Sequence, residues 1–362
     1  MRCSSGIVPD ALTPPGFAES ASACYKLDPM FRFTLFTLIL AATLGAQNRT
    51  LDIYWVDVEG GGATLIVTPD GHSFLTDTGN PGDRDANRIF EAAKQAGLKK
   101  IDYLFITHYH GDHVGGVPSL AKLIPIERYF DHGETVEGEG RGAAPWIAYK
   151  SLAEGKRTTV KPGDTLPIPG IKVQVVSAAG QVLGKPINGG GPNPFCATAK
   201  RKDPDKSENA QSAGYLLTYG KFTFLDLGDL TWDKEMALAC PDNKIGHATV
   251  VQATHHGFYN DFSGAPALYD AVKPRVVVVN NGARKGLQPS AWETIAAIPG
   301  IEGIWQLHRA VASDKAHNTS EQKIANTEDA DRGHWIKASV SKDGKYIITN
   351  SRNNFSETYT AR

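Results

Sequence analysis

Tyr103-Leu-Phe-Ile-Thr-His-Tyr-His-Gly-Asp-His-Val-Gly-Gly116 runs from an apolar segment straight into His108, His110, Asp112 and His113. The apolar part, Tyr103 to Ile106, reads as a buried strand that stops at a glycine-rich loop. His108 and His110 are two apart, so in extended chain they point the same way. Gly111 permits a sharp turn, after which Asp112 and His113 face the same space from the other side. Neutral imidazoles and carboxylates are ligands that Zn²⁺ accepts, and this loop alone offers more than one catalytic zinc needs. The spacing points to two metals sharing a site. The bland alternative, a polar loop with surface histidines, does not account for four such side chains within six residues.

Upstream of this loop, Leu51 to Val58, Thr64 to Thr68 and Ser73 to Thr76 read as a meander of strands, the first ending in Glu59-Gly60-Gly61-Gly62. The third ends at Asp77-Thr78-Gly79, where a carboxylate can brace the metal loop. Arg84 to Gly97 has helical spacing. Downstream, Val114 to Leu123 and Pro145 to Ala153 read as helices. Ile126 to Phe130, Thr158 to Pro169 and Ile171 to Ser177 read as strands. His132 reads as a loop residue first and a substrate contact second. Residues 178–212 form a long loop with Gly189-Gly190-Gly191 and a run of lysines, and loops of this length are functional or disordered. Ala213 to Thr218 and Phe222 to Leu227 form a hairpin that ends in Gly228-Asp229, with Asp226 as a rival for any ligand role. Ala248 to Ala253 is a strand ending in Thr254-His255-His256-Gly257.

Further strands and helices follow to a C-terminal hairpin around Asp343-Gly344. This order predicts a mixed α/β (α+β) chain folded as a four-layer αββα sandwich, one domain from about 50 to 355.

The 362 residues suffice for one large domain or two modest ones, and 41% hydrophobic content supports a real core. A formal net charge of −1 gives no global attraction to nucleic acid or acidic membranes, so a nucleic-acid partner is possible but unsupported. Met30-Phe-Arg-Phe, the uncharged run Thr34 to Leu44 and then Gly45-Ala46-Gln47 have the form of a secretory signal. The reading is a signal peptide over 30–46 with Met30 as initiator and residues 1–29 as a start-site artefact or unstructured, the alternative being an uncleaved anchor. The apolar run is shorter than the about 20 residues a spanning helix needs, so no transmembrane domain is expected in the mature chain. Export to the periplasm or beyond leaves Cys196 and Cys240 as an even pair and a disulfide candidate.

The ordered set Val56-Asp57-Val58-Glu59-Gly60-Gly61, Asp77-Thr78-Gly79, the histidine loop, Glu208-Asn209, Gly228-Asp229 and His255-His256-Gly257 resembles the metallo-β-lactamase superfamily. The likeness is to the branch that holds the hydrolase domain of competence DNA-uptake proteins and phosphorylcholine esterases. The resemblance implies a metal-dependent hydrolase with two Zn²⁺, other divalent metals being possible, and a metal-bridging hydroxide as nucleophile. On it, His108, His110 and Asp229 hold one metal. Asp112, His113, His256 and Asp229 hold the other, with the assignment between His255 and His256 open. It gives Asp77 the bracing role, His255 the leaving group, and Asn209 and Arg284 the oxyanion or phosphate. The substrate class implied is a phosphodiester or related small phosphoester. The alternatives are a carboxyl ester, lactone or β-lactam, or a non-catalytic metal-binding or sensing protein. Two departures stand out: no further histidine ligand lies between the loop and Asp229 except His132, and Arg284, Lys285 and Gln288 replace an Asn/His-rich loop.

Overall fold

The computed structural model describes residues 50–138, 140, 142–327 and 333–362. The expected signal segment 30–46, the 29 residues upstream of it, and with them Cys3 and Cys24, lie outside the described residues. Two nine-stranded sheets carry the described chain. The first has the order 356–360, 345–350, 336–340, 51–55, 64–67, 73–76, 101–105, 126–131, 157–159. The second runs 324–326, 303–308, 276–279, 250–252, 222–226, 214–219, 172–178, 165–166, with the short strand Gln181–Val182 added on 172–178.

Side-chain parity explains the layers. In the strand Ile101–Phe105, Tyr103 and Phe105 belong to the cluster between the sheets, whereas Leu104, of the opposite parity, packs with the outer cluster under the helices. Both faces are covered, so the strand reads as a continuous apolar run rather than an alternating one. Across the inner space, Trp55 meets Phe224 edge-on with centroids 5.6 Å apart, and Phe74 and Phe105 meet Tyr215 at 5.2 and 5.3 Å. The helices Asp83–Gln95, Val117–Leu123 and Ala144–Ala153 lie among the outer residues of the first sheet. Trp232–Ala239, Pro266–Val272 and Pro289–Ala296 cover the second. This is the αββα sandwich. Among the described residues no helix is long and apolar enough to cross a membrane.

Of the boundaries that differ from the sequence reading, two bear on the sheets. Residues 158–169 are not one strand: Arg157–Thr159 pairs in the first sheet and Thr165–Leu166 in the second. Pro162-Gly163 breaks the run, with Gly163 at φ 100°, and the chain crosses between sheets there. The last strand, Ser356–Thr360, pairs with Lys345–Asn350 beyond the expected limit at 355. Cys196 and Cys240 are disulfide-bonded. The bond ties the turn Pro194–Ala197 to the end of the helix Trp232–Ala239.

The fold gathers strand ends. Strands 73–76 and 101–105 are parallel, as are 222–226, 250–252 and 276–279. Their carboxyl ends emerge at one edge of the sandwich, the place where open α/β sheets bind ligands. Asp77, His108, Asp229, His255 and Asn280 each follow one of these ends.

Candidate metal centre

Ligand-type atoms of Asp112, His113, Asp229 and His256 all lie within 4.8 Å of one another. His113 Nε2 is 3.3 Å from Asp229 Oδ1, 3.6 Å from Asp112 Oδ2 and 3.3 Å from His256 Nε2. His256 Nε2 is 3.4 Å from Asp112 Oδ2 and 3.2 Å from Asp229 Oδ2. Tetrahedral donors about 2.0–2.2 Å from zinc stand roughly 3.3–3.6 Å apart. The four side chains therefore keep the separations of ligands around one cation, and the donor set fits the metal.

His108 and His110 adjoin this cluster, with the His108 ring 4.1 Å from that of His113. His108 Nε2 lies 3.1 Å from His110 Nδ1 and 3.8 Å from Asp229 Oδ2. His108 is wholly buried, whereas His110 is partly exposed and its Nε2 is 3.5 Å from Glu137 Oε1. His255 Nε2 approaches Asp229 Oδ2 to 3.3 Å, a spacing that two donors to one cation would have.

Local structure makes this convergence possible. Asp77 has φ 59° at the end of its strand, a left-handed turn that aspartate tolerates. Its Oδ2 accepts from His113 Nδ1 at 2.7 Å and from the Thr107 hydroxyl at 2.7 Å, and Oδ1 accepts from Thr107 N at 2.8 Å. Thr107 Oγ1 in turn lies 3.1 Å from His108 Nδ1. One carboxylate thus orients two imidazoles and leaves each Nε2 facing the cluster. Gly61 and Gly62 pass directly beneath. A Cβ on Gly61 would fall 2.2 Å from the Asp112 carbonyl, and one on Gly62 2.8 Å from His113 Nδ1. On the opposite wall, His255, His256 and Phe258 have φ of 53°, 59° and 60°. Three non-glycine left-handed residues within four are backbone strain held where two imidazoles must point inward.

Burial works against charge here, and the partners decide the outcome. Burial opposes the Asp229 charge, but His113, His255 and His256 outweigh it and hold its carboxyl well below the usual range. Burial likewise opposes the Asp112 charge, and His113, His256 and Lys285 overcome it. For His113, burial is outweighed by Asp229, Asp77 and Asp112, which lift it well above an ordinary histidine. Burial and the His113 charge push His108 well below it. Ionised carboxylates drawing positive charge to their centre are the electrostatics of a cation site.

Residues 57–196 match the model of the metallo-β-lactamase superfamily. The chain carries a metallo-β-lactamase fold. A UPF0173 metal-dependent hydrolase of Polynucleobacter asymbioticus is 30% identical over 138 residues, 38% of this chain and 44% of that protein. The match thus spans less than half of that relative. An atrochrysone carboxyl ACP thioesterase of Aspergillus aculeatus is 34% identical over 62 residues, 17% of this chain and 20% of its own. The solved metallo-β-lactamase fold protein YhfI from Bacillus subtilis is 12% identical, with a TM-score of 0.45 over 71% of this chain and 95% of that one. The family match and the relatives support a metal-dependent hydrolase.

Within the metallo-β-lactamase fold, the remaining site residues fall unevenly. Burial, more than any neighbour, pushes the His255 imidazole down to about 4. Asn209 opens the short turn Asn209–Gln211, and its Oδ1 is buried with no hydrogen-bond partner among the described residues. Arg284 is exposed, and Lys285 is the residue that turns inward to pair with Asp112 Oδ2. Asp226 does not join the cluster: Oδ1 accepts from Gly228 N and Gln252 Nε2, and burial lifts its carboxyl to about 7.

Three neighbours were given no role from the sequence. Glu137 faces His110 from a loop of glycines and glutamates that gave no signal. Lys285 is inseparable from Arg284 by composition. Glu208 was noted only beside Asn209. Its buried carboxylate accepts from Tyr109 N, His132 Nε2, Thr135 Oγ1 and Val136 N at 3.1, 2.8, 2.8 and 3.0 Å. His132 is thereby a buried structural partner of Glu208 rather than a lining residue.

Proposed function

We propose that the protein is an exported dinuclear-zinc hydrolase acting on phosphodiesters or related phosphoesters. The observation that carries the reading is the set of five separations of 3.2–3.6 Å among His113, His256, Asp112 and Asp229. Those four residues would hold one cation, and His108 and His110, sharing Asp229, the other, with His255 as a further neutral donor. Divalent cations held there supply Lewis acidity and activate water at neutral pH.

The chain's own part is orientation. Asp77 fixes the tautomer of His113 and, through Thr107, the ring of His108. Glu208 fixes the backbone between His108 and His110. Partly exposed His110 and Glu137 mark the side from which a substrate enters. Export is supported by the signal-like segment from Met30 and by the Cys196–Cys240 bond, since such bonds persist in oxidising compartments.

A second reading, hydrolysis of a carboxyl ester or thioester, is favoured by the relative named as a thioesterase. The test is zinc-loaded protein assayed on bis-p-nitrophenyl phosphate, p-nitrophenyl acetate and nitrocefin. Phosphodiester cleavage abolished by His110→Ala supports the proposal. Ester turnover alone moves the assignment to the second reading, and no turnover by protein holding metal removes the enzyme reading.

A further inference from the structure

We propose that Lys285 is the anion anchor of the site. Its ammonium binds a non-bridging oxygen of an anionic substrate beside Asp112 and selects phosphodiesters over neutral esters. This rests on the hydrolase reading above.

The lysine is placed, not merely nearby. It lies in the loop after strand Val276–Val279, and that loop is pinned along its length. Gly282 N donates to the Lys285 carbonyl at 2.9 Å, Asn280 Nδ2 to the Gly61 carbonyl at 3.1 Å, and Asn281 Nδ2 to the His308 carbonyl at 2.8 Å. Gly286 lies so close to the His256 carbonyl that a Cβ would fall 1.8 Å from it. The backbone on either side of Lys285 is therefore locked to the glycine turn under the metal loop and to the His256 wall.

From that position the ammonium reaches Asp112 Oδ2, an oxygen that also faces His113 and His256. Among the described residues Asp112 is its only hydrogen-bond or ion-pair partner. The aromatic ring of Tyr259 lies 5.8 Å from Nζ. An ammonium has three N–H donors, and the Lys285 side chain is 31% exposed, so donors remain for a ligand at the rim. Among the described residues, Arg284 and Lys202 are not so placed. Arg284 is exposed, and Lys202 is engaged with the Asp261 carbonyl.

Charge balance gives the ammonium its purpose. Asp112 and Asp229 together carry less negative charge than two divalent cations carry positive charge. A lysine added to such a centre increases the excess, a costly arrangement unless an anion joins it. A phosphodiester brings that anion and two non-bridging oxygens, and a compact ammonium point charge suits phosphate oxygen. A neutral ester brings no charge until its transition state, so it gains less from Lys285 on binding.

The test compares zinc-reconstituted wild type, Lys285→Met and Lys285→Arg, with metal content measured for each. In calorimetry with inorganic phosphate, Lys285→Met should weaken binding at least tenfold, as expected for one lost charged hydrogen bond, and Lys285→Arg should restore part of it. In steady state, the ratio of kcat/KM for bis-p-nitrophenyl phosphate to that for p-nitrophenyl acetate should fall at least tenfold in Lys285→Met, mainly through KM. Unchanged phosphate affinity, an equal loss on both substrates, or loss of bound zinc in Lys285→Met would each overturn the proposal. The last outcome would make Lys285 a positioning residue for Asp112. If the wild type turns over neither substrate, the hydrolase reading fails, while phosphate calorimetry still reports on Lys285.

Discussion

Asp77 Oδ2 accepts a hydrogen bond from His113 Nδ1 at 2.7 Å although the two residues are 36 apart in the chain. The same oxygen takes the Thr107 hydroxyl, which touches His108. Asp77→Ala should therefore weaken zinc binding by about 10–100-fold, the usual cost of losing an orienting partner. Calorimetry measures the loss, and an unaltered circular dichroism spectrum would show that the fold survives.

Glu208→Gln tests the other clamp. Four donors converge on that buried carboxylate, and the amide nitrogen of glutamine would face at least one of them as a second donor. We expect a stability loss of about 1–3 kcal/mol from the mismatched group and a lower kcat, because Tyr109 sits between His108 and His110. Chemical denaturation and steady-state kinetics on the metal-loaded protein check both.

Much of the site was legible because its chemistry is crowded. His108, His110, Asp112 and His113 need only a strand followed by a turn to be brought together, and strand and glycine were both visible. Asp229 and His256 were legible only from short local contexts, Gly-Asp and His-His-Gly, since nothing in the sequence states that two sheets meet at one edge. The choice between Arg284 and Lys285 was not legible. The two are adjacent, and which one turns inward is set by contacts of Gly282 and Gly286 with distant chain. The reason for Gly61 and Gly62, the Asp112 carbonyl and His113 ring pressed against them, exists only in three dimensions. The split of 158–169 between two sheets was hidden for the same cause: local pattern marks a strand, not its sheet.

Glu235 gives a pH dependence away from the metal ligands. It is wholly buried, its Oε2 accepts from Gly264 N and Ala265 N at 2.6 and 2.8 Å, and burial raises its carboxyl to about 7. Because the folded value lies above the unfolded one, its contribution is fully present below about pH 4.5 and is lost as pH rises toward 7. Glu235→Gln should flatten this decline and gain, relative to wild type, up to about 3 kcal/mol at pH 8. Urea melts of both proteins at pH 5 and pH 8 read the difference, and parallel declines would contradict it.

The most direct measurement is metal stoichiometry of the purified, zinc-reconstituted protein, wild type beside Asp229→Ala and His256→Ala. The account predicts about two zinc ions per wild-type chain, with a marked loss from each variant and the fold retained. A wild type that binds no zinc, or variants that bind as much as wild type with equal affinity, would contradict it.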